Sequence, residues 1–182
     1  GTLGLFGLNF APDPTQGLCI KKDTNQLKIE PCDPSNEKQI FRISRANPGV
    51  IPPTVMDTSQ PQTTSSGIFA QFLDRDTGLC FNPVSNTVNS LTTLSICNDQ
   101  YIWALIPYFE VEGGIKAPQQ IAYVPVGVPP PDTTSSSDLA NWIQTYNILS
   151  LSFNGDIPVL NTYNFDKNSS QGQKQTAQYL NY

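Results

Sequence analysis

One stretch of this 182-residue chain occurs twice, and it constrains the fold more than any other feature. The first copy reads Gly17-Leu18-Cys19-Ile20, then Leu27-Lys28-Ile29-Glu30-Pro31-Cys32, then Gln39-Ile40-Phe41-Arg42-Ile43. The second reads Gly78-Leu79-Cys80-Phe81, then Thr92-Thr93-Leu94-Ser95-Ile96-Cys97, then Tyr101-Ile102-Trp103-Ala104-Leu105. In each, a Gly-Leu-Cys opening leads to a strand-like run that ends on a second cysteine. An aromatic flanked by alternating apolar residues follows. A recurring unit of this kind is one piece of supersecondary structure that buries its apolar face only against its neighbours. All four cysteines of the chain lie in the two copies, at matching places.

Cysteines in even number at paired spacing favour disulfides, and four of them allow three pairings. The alternative is four reduced core cysteines in a cytosolic protein. Zinc lacks its ligand set, since the chain has no Cys-x-x-Cys spacing and no histidine. Charged residues make up only 14% of the chain, beside 16 Pro and 12 Gly, which suits a loop-rich β protein rather than a helical bundle.

The repeated pattern resembles that of the ricin-type β-trefoil lectins. There, Gly-x-Cys-Leu opens a unit of about forty residues, and a hydrophobic strand leads to Cys and then Gln-x-Trp. Gln39-Ile40-Phe41 stands in for Gln-x-Trp here, while Tyr101-Ile102-Trp103 keeps the tryptophan without the glutamine. The resemblance covers roughly residues 3–107. It implies an all-β, β-trefoil-like fold of two recognisable repeats plus a degenerate third unit. It also implies the pairing internal to each repeat, Cys19–Cys32 and Cys80–Cys97. Phe41 and Trp103 are then core anchors rather than sugar platforms.

Residues 1–107 form the two repeats, and 108–182 the degenerate third repeat or a C-terminal extension. A different packing partner for the two repeats, such as another subunit, is the alternative. Cys19 and Cys80 stand 61 positions apart, longer than one unit, and removing the Pro-rich segment 46–67 as an inserted loop restores the period. A second Pro-rich stretch, 127–137, reads as an extended linker.

Strands are expected at 3–10, 18–21, 26–30, 39–44, 68–73, 79–82, 91–97, 101–112 and 121–124. Asp23-Thr24-Asn25 makes the first hairpin turn. Residues 138–146 carry the spacing of one short helix, capped by Ser136 or Ser137. Two strands, 147–153 and 157–165, flank the Asn154-Gly155 turn signal. From Lys167 the tail is polar and reads as loose.

Without histidine, imidazole catalysis and Ser-His-Asp or Cys-His sites are excluded. Glu110 and Glu112, on one strand face, are the remaining carboxylate pair of glycosidase type. A solvated strand face is the simpler reading, as a turn is for Asp74 and Asp76 around Arg75. The expectation is a non-catalytic chain without metal or cofactor. Net charge is −5 with no basic cluster, so nucleic acid is not an expected partner. No apolar run reaches the ~20 residues that span a bilayer.

The sugar residues of the lectin family are largely replaced. Its aspartate two positions after the first cysteine becomes Lys21 and Asn82, and its stacking aromatic becomes Glu30 and Ser95. Its Asn-Gln pair becomes Lys38-Gln39 and Gln100-Tyr101. A sugar site would then lie in the third unit or the insertion loops, with Trp142 and Tyr146 as exposed aromatics and Asn82 as a polar contact. Asn168, in Asn168-Ser169-Ser170, is the one N-glycosylation candidate. The expected function is an extracellular, secreted, lectin-like module for carbohydrate or glycoprotein. The alternative is a structural or adhesive component of an extracellular or virion-surface assembly, partnered by copies of itself or by other structural subunits.

Overall fold

A computed structural model of the chain describes residues 2–9, 17–45, 68–98, 100–107, 119–129, 136–166 and 169–181. The insertion 46–67, Glu110, Glu112, Asn168 and residues 130–135 of the expected linker lie outside the described residues.

The chain is predominantly β. Its strands run β1 (Thr2–Asn9), β2 (Leu18–Asp23), β3 (Gln26–Pro31), β4 (Phe41–Arg45), β5 (Ile68–Asp74) and β6 (Cys80–Pro83). They continue as β7 (Thr92–Ser95), β8 (Ile102–Pro107), β9 (Gln119–Val124), β10 (Leu149–Asn154), β11 (Ile157–Thr162) and β12 (Thr176–Asn181). Helix α1 (Ser136–Thr145) precedes β10 and the short α2 (Ser170–Gln173) precedes β12, while a 3-10 turn, Glu37–Gln39, precedes β4.

All pairings are antiparallel, and they recur every four strands. β1 pairs β4, β5 pairs β8 and β9 pairs β12. Between these pairs, β4 joins β5, β8 joins β9, and β12 returns to β1. The six strands thus form a closed ring of pairings without a free edge, which removes the hazard of an exposed ladder. The other six strands are three hairpins, β2–β3, β6–β7 and β10–β11. Each hairpin hangs on its ring strand at one register position: Asn9↔Cys19, Leu73↔Cys80 and Ala122↔Ser150. Cys19, Cys80 and Ser150 are therefore equivalent in register.

The tail from Lys167, read as loose, is corrected for the residues described. Residues 169–181 hold α2 and β12, and β12 closes the ring through Leu8↔Tyr179 and Thr176↔Gln120. The expected linker likewise ends earlier than 137, because α1 begins at Ser136.

Alternation along the strands divides the interior into two clusters. Trp103, Leu105, Ile121 and Tyr123 join Phe41, Phe72 and Phe81 in the main core. There Phe41 and Phe81 meet edge to face at 5.0 Å, and Trp103 lies 5.4 Å from Tyr123. Such ring contacts add about 0.5–1.5 kcal/mol each beyond area burial. The intervening residues Ile102, Ala104, Ile106, Ala122 and Val124 face the other way, under Leu139, Trp142 and Ile143 of α1. β8 and β9 are buried on both faces, which is why their sequences read as continuous apolar runs.

Candidate functional site

Two disulfides are present, Cys19–Cys32 and Cys80–Cys97, each with Cα atoms 4.9 Å apart. Both tie the opening of a hairpin to a cysteine one or two residues beyond its returning strand. In the β10–β11 hairpin Ser150 and Tyr163 occupy the register positions that the two cysteines hold in the other hairpins. Ser150 is fully buried, its Oγ 3.4 Å from the Ile121 carbonyl, and Tyr163 packs on the second cluster.

The positions matching the lectin family's sugar residues are engaged within the protein. Lys21 Nζ pairs with Glu30 Oε1 across the first hairpin at 2.9 Å. Asn82 Nδ2 donates to Ser95 Oγ at 2.9 Å across the second. Ser152, the register equivalent in the third, donates to the Lys174 carbonyl at 3.1 Å. A ligand at any of the three would have to displace an existing hydrogen bond. Trp142 corrects the expectation of an exposed aromatic: it is only 5% exposed, and its Nε1 donates to the Pro129 carbonyl at 2.7 Å. Tyr146, at the end of the same helix, is 40% exposed. Asn82 sits on β6 in another unit and does not join them in one site. Phe41 and Trp103 are completely buried.

Asp74, read as part of a turn, is a buried anchor. Its Oδ2 accepts from Lys22 Nζ at 2.8 Å and from the Thr77 amide and hydroxyl. Burial pushes its carboxyl up, but the Lys22 and Thr77 hydrogen bonds and the Lys22 charge outweigh it and hold it below the ordinary carboxylate value. Arg75 pairs with Glu37 at 3.2 Å and with Asp76 at 3.8 Å, so Asp76 and Asp74 have different partners. Among the described residues, no three His, Cys, Asp or Glu side chains gather to hold a metal.

The three hairpin ends meet, and their geometry repeats closely. Thr24, Asn89 and Gly155 all have left-handed backbones, with φ of 59°, 70° and 63°. Each is followed by a residue whose carbonyl accepts from the next unit. Leu94 N donates to Asn25 O at 3.2 Å, Leu160 N to Ser90 O at 2.9 Å and Ile29 N to Asp156 O at 2.7 Å. The three bonds form a cycle, so each hairpin is held by its neighbour. Glycine and asparagine take this backbone readily, whereas threonine is strained in it.

Beside this cycle, β3 and β7 and the β10–β11 turn line a cavity of about 230 Å³ that is open to solvent. Gln26, Lys28, Thr92, Thr93 and Asp156 supply its polar lining; Leu27, Leu91 and Ile157 supply the apolar part. Lys28 Nζ lies 3.2 Å from Asp23 Oδ2. The hydrogen bond to Asp23 and that carboxylate's charge hold the Lys28 ammonium above its ordinary pKa against slight desolvation, helped by Asp156 and Glu30. Thr92 is 1% exposed and its Oγ1 has no hydrogen-bond partner. Sequence reading identified the two tight turns but not this cavity, since no local signal says that β3, β7 and the third turn converge.

A second omission was legible. Gln39 Nε2 donates to the Pro31 carbonyl at 2.9 Å, and Gln175 Nε2 donates to the Thr162 carbonyl at 2.7 Å. Both glutamines are buried, Gln39 as the last residue of its 3-10 turn and Gln175 just after α2, and Pro31 and Thr162 occupy the same register in their hairpins. Gln175 therefore bonds the β10–β11 hairpin as Gln39 bonds the β2–β3 hairpin.

No protein-family model matches the chain, and no curated protein matches it in sequence. No helix of the described residues is long and apolar enough to cross a membrane.

Proposed function

We propose that the chain is a β-trefoil of ricin-type lectin descent, acting as a non-catalytic extracellular module that binds carbohydrate or glycoprotein. The observation that carries this reading is the pairing pattern, in which ring and hairpin contacts recur every four strands. The three equivalent turn-to-neighbour hydrogen bonds support it, as does the bond that Gln39 and Gln175 each donate from Nε2 to a carbonyl of the hairpin before it. Two disulfides suit an oxidising compartment. Engagement of the Lys21, Asn82 and Ser152 positions argues that any glycan is held elsewhere than in the usual lobes. Binding of at least one glycan above background on a glycan array is expected, and a blank array would sink the reading.

A structural role in an extracellular or virion-surface assembly is favoured by one separate observation. Ile96 is 80% exposed, Val84 65% and Leu91 46%. Val84 and Leu91 are hydrogen-bonded neighbours, Val84 N to Leu91 O at 2.9 Å, and adjoining exposed apolar groups suit contacts with other subunits. Light scattering coupled to size-exclusion chromatography, run across concentration, separates the readings: assembly predicts a mass that rises, and a constant monomer mass contradicts it.

A further inference from the structure

We propose that the cavity between β3, β7 and the β10–β11 turn is a binding site for one small neutral polyhydroxyl ring, a monosaccharide unit. The site rests on geometry, and its ligand class rests on the carbohydrate reading above. At about 230 Å³ the cavity lies below the roughly 300–1,000 Å³ of drug-sized pockets, which limits it to a single small ring. It is far larger than the ~30 Å³ share of one water molecule.

The lining argues for hydroxyls. Thr92 lines the cavity, is buried and has an unpartnered Oγ1, and a buried hydroxyl without a hydrogen bond is unfavourable. That hydroxyl is sealed from solvent, so a ligand bonds it only once the Thr92 side chain turns toward the cavity, which supplies the partner it lacks. Gln26, Thr93 and Asp156 make no side-chain hydrogen bond among the described residues, so amide, hydroxyl and carboxylate groups remain available at the wall. Asp156 accepts strongly from hydroxyls, as charge-assisted hydrogen bonds do. Leu91 and Ile157, 46% and 40% exposed, offer an aliphatic surface for the C–H face of a ring.

Charge excludes an anion. Lys28 is already neutralised by Asp23, and Asp156 adds a further negative charge to the wall. An anionic ligand would meet net repulsion, and a neutral ring would not.

The placement also explains why the usual lobe positions are filled. Lys21–Glu30 and Asn82–Ser95 satisfy themselves across their hairpins. Among the described residues, Gln26, Thr93 and Asp156 make no such side-chain hydrogen bond, and the cavity residues come from three hairpins that only the fold brings together.

Titration of the whole chain with free hexoses and N-acetylhexosamines, followed by amide NMR shifts, tests the site. Ethanolamine at equal concentration serves as the charged control. A neutral sugar is expected to shift residues 26–28, 91–93 and 156–157. Thr92→Val and Asp156→Asn, each checked for native-like spectral dispersion, are expected to weaken it about tenfold. If sugars bind but the shifts lie elsewhere and both variants bind normally, the cavity site is overturned while the carbohydrate reading stands. Ethanolamine shifting the cavity amides where no sugar does would overturn the ligand class. Absence of any sugar-induced shift, together with a blank glycan array, would overturn both.

Discussion

In β1–β8 a disulfide closes each hairpin, whereas β9–β12 reaches the same strand pairing with Ser150 and Tyr163 at the cysteine positions. The third unit has a different staple. Helix α1 covers the outer face of β8 and β9, and Trp142 fixes it through its buried ring and its bond to the Pro129 carbonyl. One architecture is thus held covalently on one side and by a second hydrophobic cluster on the other. The ring of pairings and the cycle of turn hydrogen bonds are common to all three units, so these carry the architecture. Disulfides act mainly by limiting the unfolded chain, and packing acts on the folded one.

The largest effect expected is at the packed staple. Trp142→Ala should lower unfolding free energy by about 3–5 kcal/mol, measured by chemical denaturation. Hydrogen exchange should rise first in α1, β9 and β10 while β2–β3 stays protected. Equal loosening of all three hairpins would break the comparison.

Removing the covalent staple comes next. Cys80→Ala with Cys97→Ala should cost about 2–5 kcal/mol, and the midpoint of thermal unfolding should fall. Far-ultraviolet circular dichroism should stay β. The β10–β11 amides should keep their protection, which sharpens the claim that the third unit does not depend on disulfides.

A third prediction concerns the ion pair that ties β2 to the end of β5. Asp74→Asn should destabilise by about 1.5–3 kcal/mol, since a charge-assisted bond to Lys22 is lost. Because the folded carboxyl titrates below its unfolded value of about 3.9, its stabilisation is complete above that pH. It is lost as pH falls through the folded value. A wild-type stability profile that declines below about pH 4 more steeply than that of Asp74→Asn is the expected result.

The smallest effect compares two equivalent turns. Thr24 bears the left-handed strain that Gly155 avoids. Thr24→Gly should therefore be neutral to stabilising, by up to about 1 kcal/mol, and Gly155→Thr destabilising by about 1–2 kcal/mol. Equal effects of the same sign would refute the equivalence of the two turns.

Several features were legible in the residues alone. The β class followed from strand-like runs punctuated by Gly, Pro and Asn, as did most strand positions and the turns at Thr24 and Gly155. Those signals are local, arising from backbone preference and two-residue periodicity. The helix also shows in its spacing, but Trp142 reads as exposed because nothing in the helix itself says that β8 and β9 need a cover. Their unbroken apolar runs, Ile102 to Ile106 and Ile121 to Val124, were the available sign. Gln175 was missed because its neighbours Thr176 and Ala177 lack the aromatic that marks the motif elsewhere.

Ring closure was decided only in three dimensions. β12, Thr176-Ala177-Gln178-Tyr179-Leu180-Asn181, is too polar to announce a strand, and its partners β1 and β9 lie far away in sequence. Long-range pairing of this kind depends on partners the strand itself does not encode. The cavity has the same origin. Gln26, Thr92 and Asp156 come from three hairpins whose meeting depends on the cyclic hydrogen bonds at their turns. A chain determines its turns and faces locally, but a site shared among three units exists only once all three are packed.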